Sequence, residues 1–272
     1  MAAEGANRPA GASALSRTGF ALAGLLIVVL IVQAAGGFFL GGLYRDNAWV
    51  VSVLRGTDAE ALAVDVPVLI LALLAAMRGS VPGRLILAGM LYYEFYNNLY
   101  YLFSAFNAFF LVYVALFILS SYALIAILVS TDPGWIVAAH RARSRRIIAG
   151  VMFANAAVLA VMWVGRSAMF IVSGQVPKLI TDTGAGTHVV AALDLTLVVP
   201  SLVLGGLLLW RDRPWGRVIA TVTLVQCVAI TLDLVATPPF QAAAVKDAWT
   251  MVPLWALMGL CSLLPLLFMM RS

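Results

Sequence analysis

Charge is scarce in this sequence: 11% of its 272 residues are Asp, Glu, Lys or Arg, against about a quarter in an ordinary soluble domain. Hydrophobic residues make up 63%, where about half is usual. That balance excludes a water-soluble globular domain and a disordered chain. Cysteine is nearly missing. Cys227 and Cys261 lie inside apolar runs, without CxxC spacing and without a neighbouring His, which excludes a disulfide scaffold. Thiols so placed behave as small apolar residues. Histidine is scarcer than a bis-histidine haem site within one half of the chain would need, with His140 and His188 alone. No P-loop, Rossmann turn or HExxH motif occurs. No metal site and no cofactor are expected.

What is abundant is apolar sequence in long runs. A spanning helix takes roughly 20 apolar residues, so the length admits about eight spans and no soluble domain. The expected fold is all-α: a polytopic membrane protein of about eight transmembrane helices. Residues 1–18 read as a disordered cytoplasmic tail. The spans fall at 19–43, 66–77, 85–103, 109–130, 147–164, 188–210, 218–237 and 248–269. The second is short at 66–77 and is expected to begin nearer Glu60. The first resembles a signal peptide at its start, but its apolar run is too long for one. The third and fourth cannot be one helix, since residues 85–130 would extend about 69 Å at 1.5 Å per residue, more than twice a bilayer core.

The net charge of +5 would raise nucleic acid as a partner in a soluble chain. Here the cations sit between apolar runs, so no nucleic-acid partner is expected. With the N-terminus inside, 12 of the 17 Lys and Arg fall on the inner side. Both termini are therefore expected in the cytoplasm, by the positive-inside rule. The basic inner loop, 131–146, begins its charge run at His140 and is placed to touch anionic lipid heads. The bilayer itself is the other expected partner.

A shift of 133 residues lays 61–84 on 194–217 with nine identities in 24 positions, including Pro67 on Pro200, Arg78 on Arg211, Gly83 on Gly216 and Arg84 on Arg217. Two four-helix halves, 19–130 and 147–272, follow. An even number of spans in each makes them parallel repeats. The segment from Leu193 and Asp194 to Pro200, continued by Trp210-Arg211-Asp212-Arg213-Pro214-Trp215-Gly216, resembles a hairpin of bacterial multi-pass inner-membrane proteins of unknown function. The stretch from Phe110 to Phe117 resembles the same group. That resemblance implies a bacterial inner-membrane location and carries over no catalytic residue.

Ionisable groups inside a bilayer are costly, by about 3 kcal/mol each on insertion scales, and so mark candidate sites. Glu94 lies near the middle of the third span, within Tyr-Tyr-Glu-Phe-Tyr-Asn-Asn-Leu-Tyr-Tyr. Helical periodicity puts Glu94, Asn98 and Tyr101 on one face and Asn97 on the adjacent one. Glu94 could exchange a proton or bind a cation there, or bond a neighbouring helix. Asp233 stands near the outer end of the seventh span, with Gln226 on the same face, and could share a cavity with Glu94 or tilt to headgroup water. Asp65 reads as a helix N-cap before Pro67, and Asp194 as a helical acid before the kink at Pro200. His188 reads as an interfacial residue. Gly37 and Gly41 form a GxxxG in the first span, expected to pack a helix closely. Arg45, Asp46, Arg55, Asp58 and Glu60 read as outer-loop residues, and Ala48 to Leu54 as an interfacial stretch.

The reading taken first is a small transporter or permease with a midplane polar site around Glu94 and an unidentified small-molecule or ion substrate. The alternatives are a membrane-embedded enzyme acting on a lipid or isoprenoid, for which no catalytic motif stands out, and a non-catalytic assembly or sensing partner.

Overall fold

A computed structural model describes residues 10–135 and 142–270. Among these, the ordered elements are all helical. Seven helices are long and apolar enough to cross a membrane: Ser13–Phe39, Ala48–Met77, Phe110–Val129, Ser144–Ser173, Val189–Trp210, Pro214–Gln241 and Val252–Met270.

The elements are α1 (Ala10–Phe39), α2 (Ala48–Glu60), α3 (Val66–Met77), α4 (Val81–Leu102), α5 (Phe110–Val129), α6 (Ala142–Ser173), α7 (Lys178–Thr183), α8 (Val189–Leu193), α9 (Val199–Trp210), α10 (Pro214–Ala236), α11 (Pro238–Gln241) and α12 (Val252–Met270). With 22 residues, α4 is longer than α5, which has 20, but it carries the polar and aromatic run around Glu94. α1 lies along α5, α6 along α9, and α4 and α10 pack on each other at the centre. Their approach is close at Gly89, where a Cβ would meet Val225 Cγ1 at 2.5 Å and the Val222 carbonyl oxygen at 2.9 Å.

Two widened turns join α2 to α3 and α8 to α9. Residues Ala61–Asp65 and Asp194–Val198 are π-helical. Each ends with an amide bonded five residues back, Val66 to Ala61 and Val199 to Asp194. The cause is the proline that follows. Pro67 and Pro200 lack an N–H and crowd the preceding turn, and one extra residue in the turn relieves that crowding. Such turns are common at functional sites.

The α3–α4 and α9–α10 hairpins are equally tight. Gly79 and Asp212 both take positive φ, 89° and 55°. Ser80 caps α4 by accepting from the Gly83 amide at 3.1 Å. A Cβ on Gly83 or Gly216 would stand 2.5 Å from Ala75 Cβ or the Leu208 carbonyl carbon. Arg84 and Arg217 close these ends. Arg84 donates to Thr131, Ser16, Ser130 and the Ile127 carbonyl. Arg217 and Arg145 pair with Asp212 at 2.8 and 3.0 Å.

Several expectations change. The second span does not begin near Glu60. It runs unbroken from Ala48, so Ala48 to Leu54 form its first turns rather than an interfacial stretch. Asp58 and Glu60 are buried helix residues, not loop residues. Asp65 is not an N-cap: it sits in the widened turn and makes no capping bond. α1 ends at Phe39, so Gly41 lies beyond the helix and faces open space. Gly37 instead cradles a side-chain cluster described below. α1 reaches back to Ala10, over part of the segment expected as a tail. Residues 1–9, and His140 and Arg141 of the basic loop, lie outside the described residues.

Candidate functional site

Among the described residues, six acids are buried: Asp58, Glu60, Asp65, Glu94, Asp194 and Asp233. They fall into three groups.

The first group centres on Asp58. Its Oδ1 accepts from Gln33 Nε2 at 2.8 Å and from the Tyr101 hydroxyl at 2.9 Å, and its Oδ2 from the Tyr44 hydroxyl at 2.6 Å. Gly37 makes room: any side chain there would collide with Asp58 Oδ2 and the Tyr44 hydroxyl. Burial, then the charge of Asp58, pushes the Tyr44 phenol above its ordinary value, so it remains a donor at neutral pH. Tyr101 therefore serves Asp58 and not Glu94, although periodicity alone puts it on the Glu94 face.

The second group is Glu60, Asp65, Glu94 and Asp233. Glu60 and Asp65 interact electrostatically within the bundle, and none of their four carboxyl oxygens has a hydrogen-bond partner. Glu94 stands in the field of Asp65 and Asp233. Asn98 Nδ2 donates to the Glu94 backbone oxygen at 2.8 Å and to Oε2 at 3.2 Å, while Oε1 has no partner. Thr57 stands beside Asp233, whose Oδ1 has no partner. Asp233 is buried, not tilted out to headgroups. Asp58 also faces it from α2 and Tyr93 from α4. The ion pairs among the described residues lie elsewhere, at Asp212, Asp182 and Asp247. Gln226 is fully buried near by in sequence, with Nε2 unpartnered and Oε1 facing Cys227 Sγ at 3.5 Å.

The third group is Asp194. Its Oδ1 accepts from the Tyr96 hydroxyl at 2.8 Å and its Oδ2 from Trp163 Nε1 at 2.7 Å. Arg166 lies over the Trp163 ring at 4.8 Å, and His188 meets the ring edge-on at 4.6 Å. His188 Nδ1 accepts from the Ala191 amide and caps α8. Burial, then Arg166, lowers its pKa from the usual 6.5, which keeps it neutral in that role.

A cavity of about 1210 Å³ links the second and third groups. It lies between α2, α6, α8, α10 and α12, with α4 behind. Asp194, Asp233, Tyr93, Tyr96, Asn97 and Tyr100 line it. Its apolar wall includes Leu159, Met162, Trp255 and Met258. Lys178 and Asp247, with side chains 80% and 73% exposed, belong to the rim, so the space reaches the surface. The cavity exists because α6 and α12 barely meet, whereas α1 and α5 pack along their length. A hydrogen bond of 3.1 Å from Asn155 to Ser262 ties α6 to α12 at the cavity wall.

Of the residues singled out in the sequence, Asp233, Asp194 and Asn97 line the cavity. Glu94, Asn98 and Gln226 lie behind its wall, and Tyr101 belongs to the Asp58 group. Sequence reasoning missed Asp58 and Glu60 as site residues, and Trp163 as a partner of Asp194. The signal for the first two was the apolar run before Arg55, which continues after Glu60 as one helix. No protein family, curated protein or solved structure matches the chain.

Proposed function

We propose that the chain is a small proton-linked permease of the cell membrane, with its substrate in the cavity and its proton carried by the Glu60, Asp65, Glu94 and Asp233 carboxyls. The observation that carries this reading is the position of Asp233, which belongs both to the buried carboxyl group and to the wall of a cavity open to the surface. A substrate touching Asp233 acts on a group electrostatically tied to Asp65, Glu60 and Glu94, and so alters where a proton resides. Buried acids facing a bundle interior are the usual parts of proton relays in transporters.

The same proposal takes α4 as an eighth span and the chain as two parallel four-helix halves. The widened turns begin 133 residues apart, at Ala61 and Asp194. The following helices begin at the same interval, Val66 and Val199, then Val81 and Pro214. That regularity supports duplication. The excess of cations at the Arg84 and Arg217 ends supports a cytoplasmic position for those turns and for both termini, with the cavity facing outward and the basic turns against anionic lipid heads.

The test uses proteoliposomes with an imposed pH gradient and a panel of fluorescent amphiphiles: cationic, anionic and uncharged. Gradient-dependent movement of one class, lost in Glu94→Gln with the fold retained, is expected. Movement that ignores the gradient, or that survives in both Glu94→Gln and Asp233→Asn, would overturn the proposal.

A further inference from the structure

Two polar groups on the cavity wall are buried without partners. Asp233 is 8% exposed and its Oδ1 accepts no hydrogen bond. Tyr93 is 1% exposed and its hydroxyl has no partner, with Asp233 the acid whose field it feels most. Buried polar groups are nearly always satisfied, and an exception calls for an explanation such as a missing ligand. A carboxylate oxygen only accepts, so the missing group is a donor. Aromatic residues line the same cavity, Trp49, Tyr96, Tyr100 and Trp163 among them, and aromatic ring faces attract cations. Leu159, Met162, Leu193, Val198 and Met258 give the wall an aliphatic and thioether stretch. At about 1210 Å³ the space exceeds the 300–1,000 Å³ or so of a drug-sized pocket, which fits a ligand with a long hydrocarbon body. The lining carries four acids, Asp182, Asp194, Asp233 and Asp247, against Arg166, Lys178 and Lys246; Lys178 is shared by Asp182 and Asp247 at 4.0 and 3.8 Å, and Arg166 lies on the Trp163 ring.

We propose that the cavity binds a long-chain amine, its protonated nitrogen donating to Asp233 Oδ1 and the Tyr93 hydroxyl, and its chain lying against Leu159, Met162, Trp255 and Met258. This deepens the permease reading, since it takes the same cavity as the substrate site. An ammonium at Asp233 stands where a proton would otherwise be held, so amine and proton compete for one carboxylate.

The test is equilibrium binding to the full chain in lipid nanodiscs, with no pH gradient. Tryptophan fluorescence reports it, because Trp49, Trp163 and Trp255 line the space. The probes are dodecylamine, dodecyltrimethylammonium and dodecyl sulfate, with empty nanodiscs subtracted. Saturable binding is expected in the order amine, quaternary ammonium, sulfate. Asp233→Asn weakens the amine by about tenfold or more, as loss of a charged hydrogen bond does, and Tyr93→Phe by a few fold. Should Asp233→Asn fail to fold, Tyr93→Phe and the quaternary probe carry the test. Dodecyl sulfate binding as tightly as the amine would overturn the proposal. So would a quaternary ammonium equal to the amine, or amine affinity unchanged in the variants that fold. The permease reading fails separately: amine binding without gradient-driven movement removes transport and leaves the site, whereas movement of an anionic probe removes the amine and leaves transport.

Discussion

The Asp58 group offers the sharpest test of how dry the bundle is. Asp58 is 0% exposed and receives three hydrogen bonds from neutral donors on three separate segments. Asp58→Ala removes the acceptor and strands the Gln33 amide and the Tyr44 hydroxyl. Tyr101 retains a longer bond of 3.3 Å to the Leu54 carbonyl. Each lost interaction is worth about 0.6 kcal/mol by the lowest membrane-protein measure and about 1–3 kcal/mol where a buried group is left unpaired. With two donors stranded and Tyr101 still bonded, the total is about 2–6 kcal/mol. At roughly 2–4 °C per kcal/mol for a chain of about this size, the melting temperature in detergent falls by at least several degrees. Asp58→Asn is milder. Its amide oxygen keeps two acceptor sites for Gln33 and Tyr101, and its nitrogen at the Oδ2 position faces Tyr44, orphaning one hydroxyl hydrogen at a cost of about 1–3 kcal/mol. The order wild type, Asn, Ala is therefore fixed by counting lone pairs. Gly37→Ala attacks the same group by volume and lowers stability without touching a polar atom. An Asp58→Ala variant that melts with wild type would refute the reasoning, because it would mean that water reaches the stranded donors.

Three further outcomes follow from single contacts. Gly89→Ala forces a Cβ to within 2.9 Å of the Val222 carbonyl; overpacking of this kind costs about 1–3 kcal/mol, and a thermal melt unchanged within error would contradict the close α4–α10 approach. Trp163→Phe and Tyr96→Phe each remove one donor to Asp194, for about 1–3 kcal/mol apiece; a double-mutant cycle reads the loss, and a sum of zero would mean that Asp194 is hydrated. His188 has a lowered pKa, so its contribution to stability is complete above the ordinary 6.5 and is lost as pH falls from there toward its lowered value. His188→Asn keeps a capping residue but does not titrate, so wild type should lose stability relative to it between neutral and mildly acid pH. Parallel pH profiles for the two proteins would remove His188 from that role.

The helical class and the turns were legible because they rest on run length and on proline, glycine and arginine at turn positions. The break between α4 and α5 followed from bilayer thickness alone. The beginning of the second long helix was not legible. Arg55, Asp58 and Glu60 interrupt the hydropathy of Ala48–Met77, and hydropathy sums all faces of a helix together. It cannot distinguish an acid held by tyrosines inside a bundle from an acid in a loop. Arg55 is exposed and bonds the Phe38 carbonyl at 2.9 Å, whereas Asp58, three residues on, points inward. The pairing of Tyr101 failed for a related reason. Helical period correctly says which residues share a face, but the partner across that face is set by tertiary contacts. Here a neighbouring helix brought Asp58 within reach. Asp65 followed the rule for a proline-led helix start, and the continuous helix through Pro67 overrode it by widening one turn.

On the two-half reading, the scaffold repeats and the acids do not. Pro67 and Pro200, Gly83 and Gly216, and Arg84 and Arg217 coincide at an interval of 133 residues. At the same interval Asp58, Glu60, Asp65 and Glu94 fall on Ala191, Leu193, Val198 and Cys227, while Asp194 and Asp233 fall on Ala61 and Tyr100. A duplicated pair of hairpins needs identical turns to pack identically, so turn residues are constrained in both halves. Buried acids carry no such symmetry requirement, and each costs stability, so a second copy would add cost without a second site. The packing shows the same asymmetry. α1 closes against α5, whereas α6 and α12 stand apart and open the cavity. The carboxyls of Glu60, Asp65 and Glu94 therefore lie in the closed half, and Asp233 is the one that brings their electrostatic field to the open half. If the protein moves a proton in step with a ligand, Asp233 is where the two must meet, and substitutions there should uncouple them more completely than any substitution deeper in the closed half.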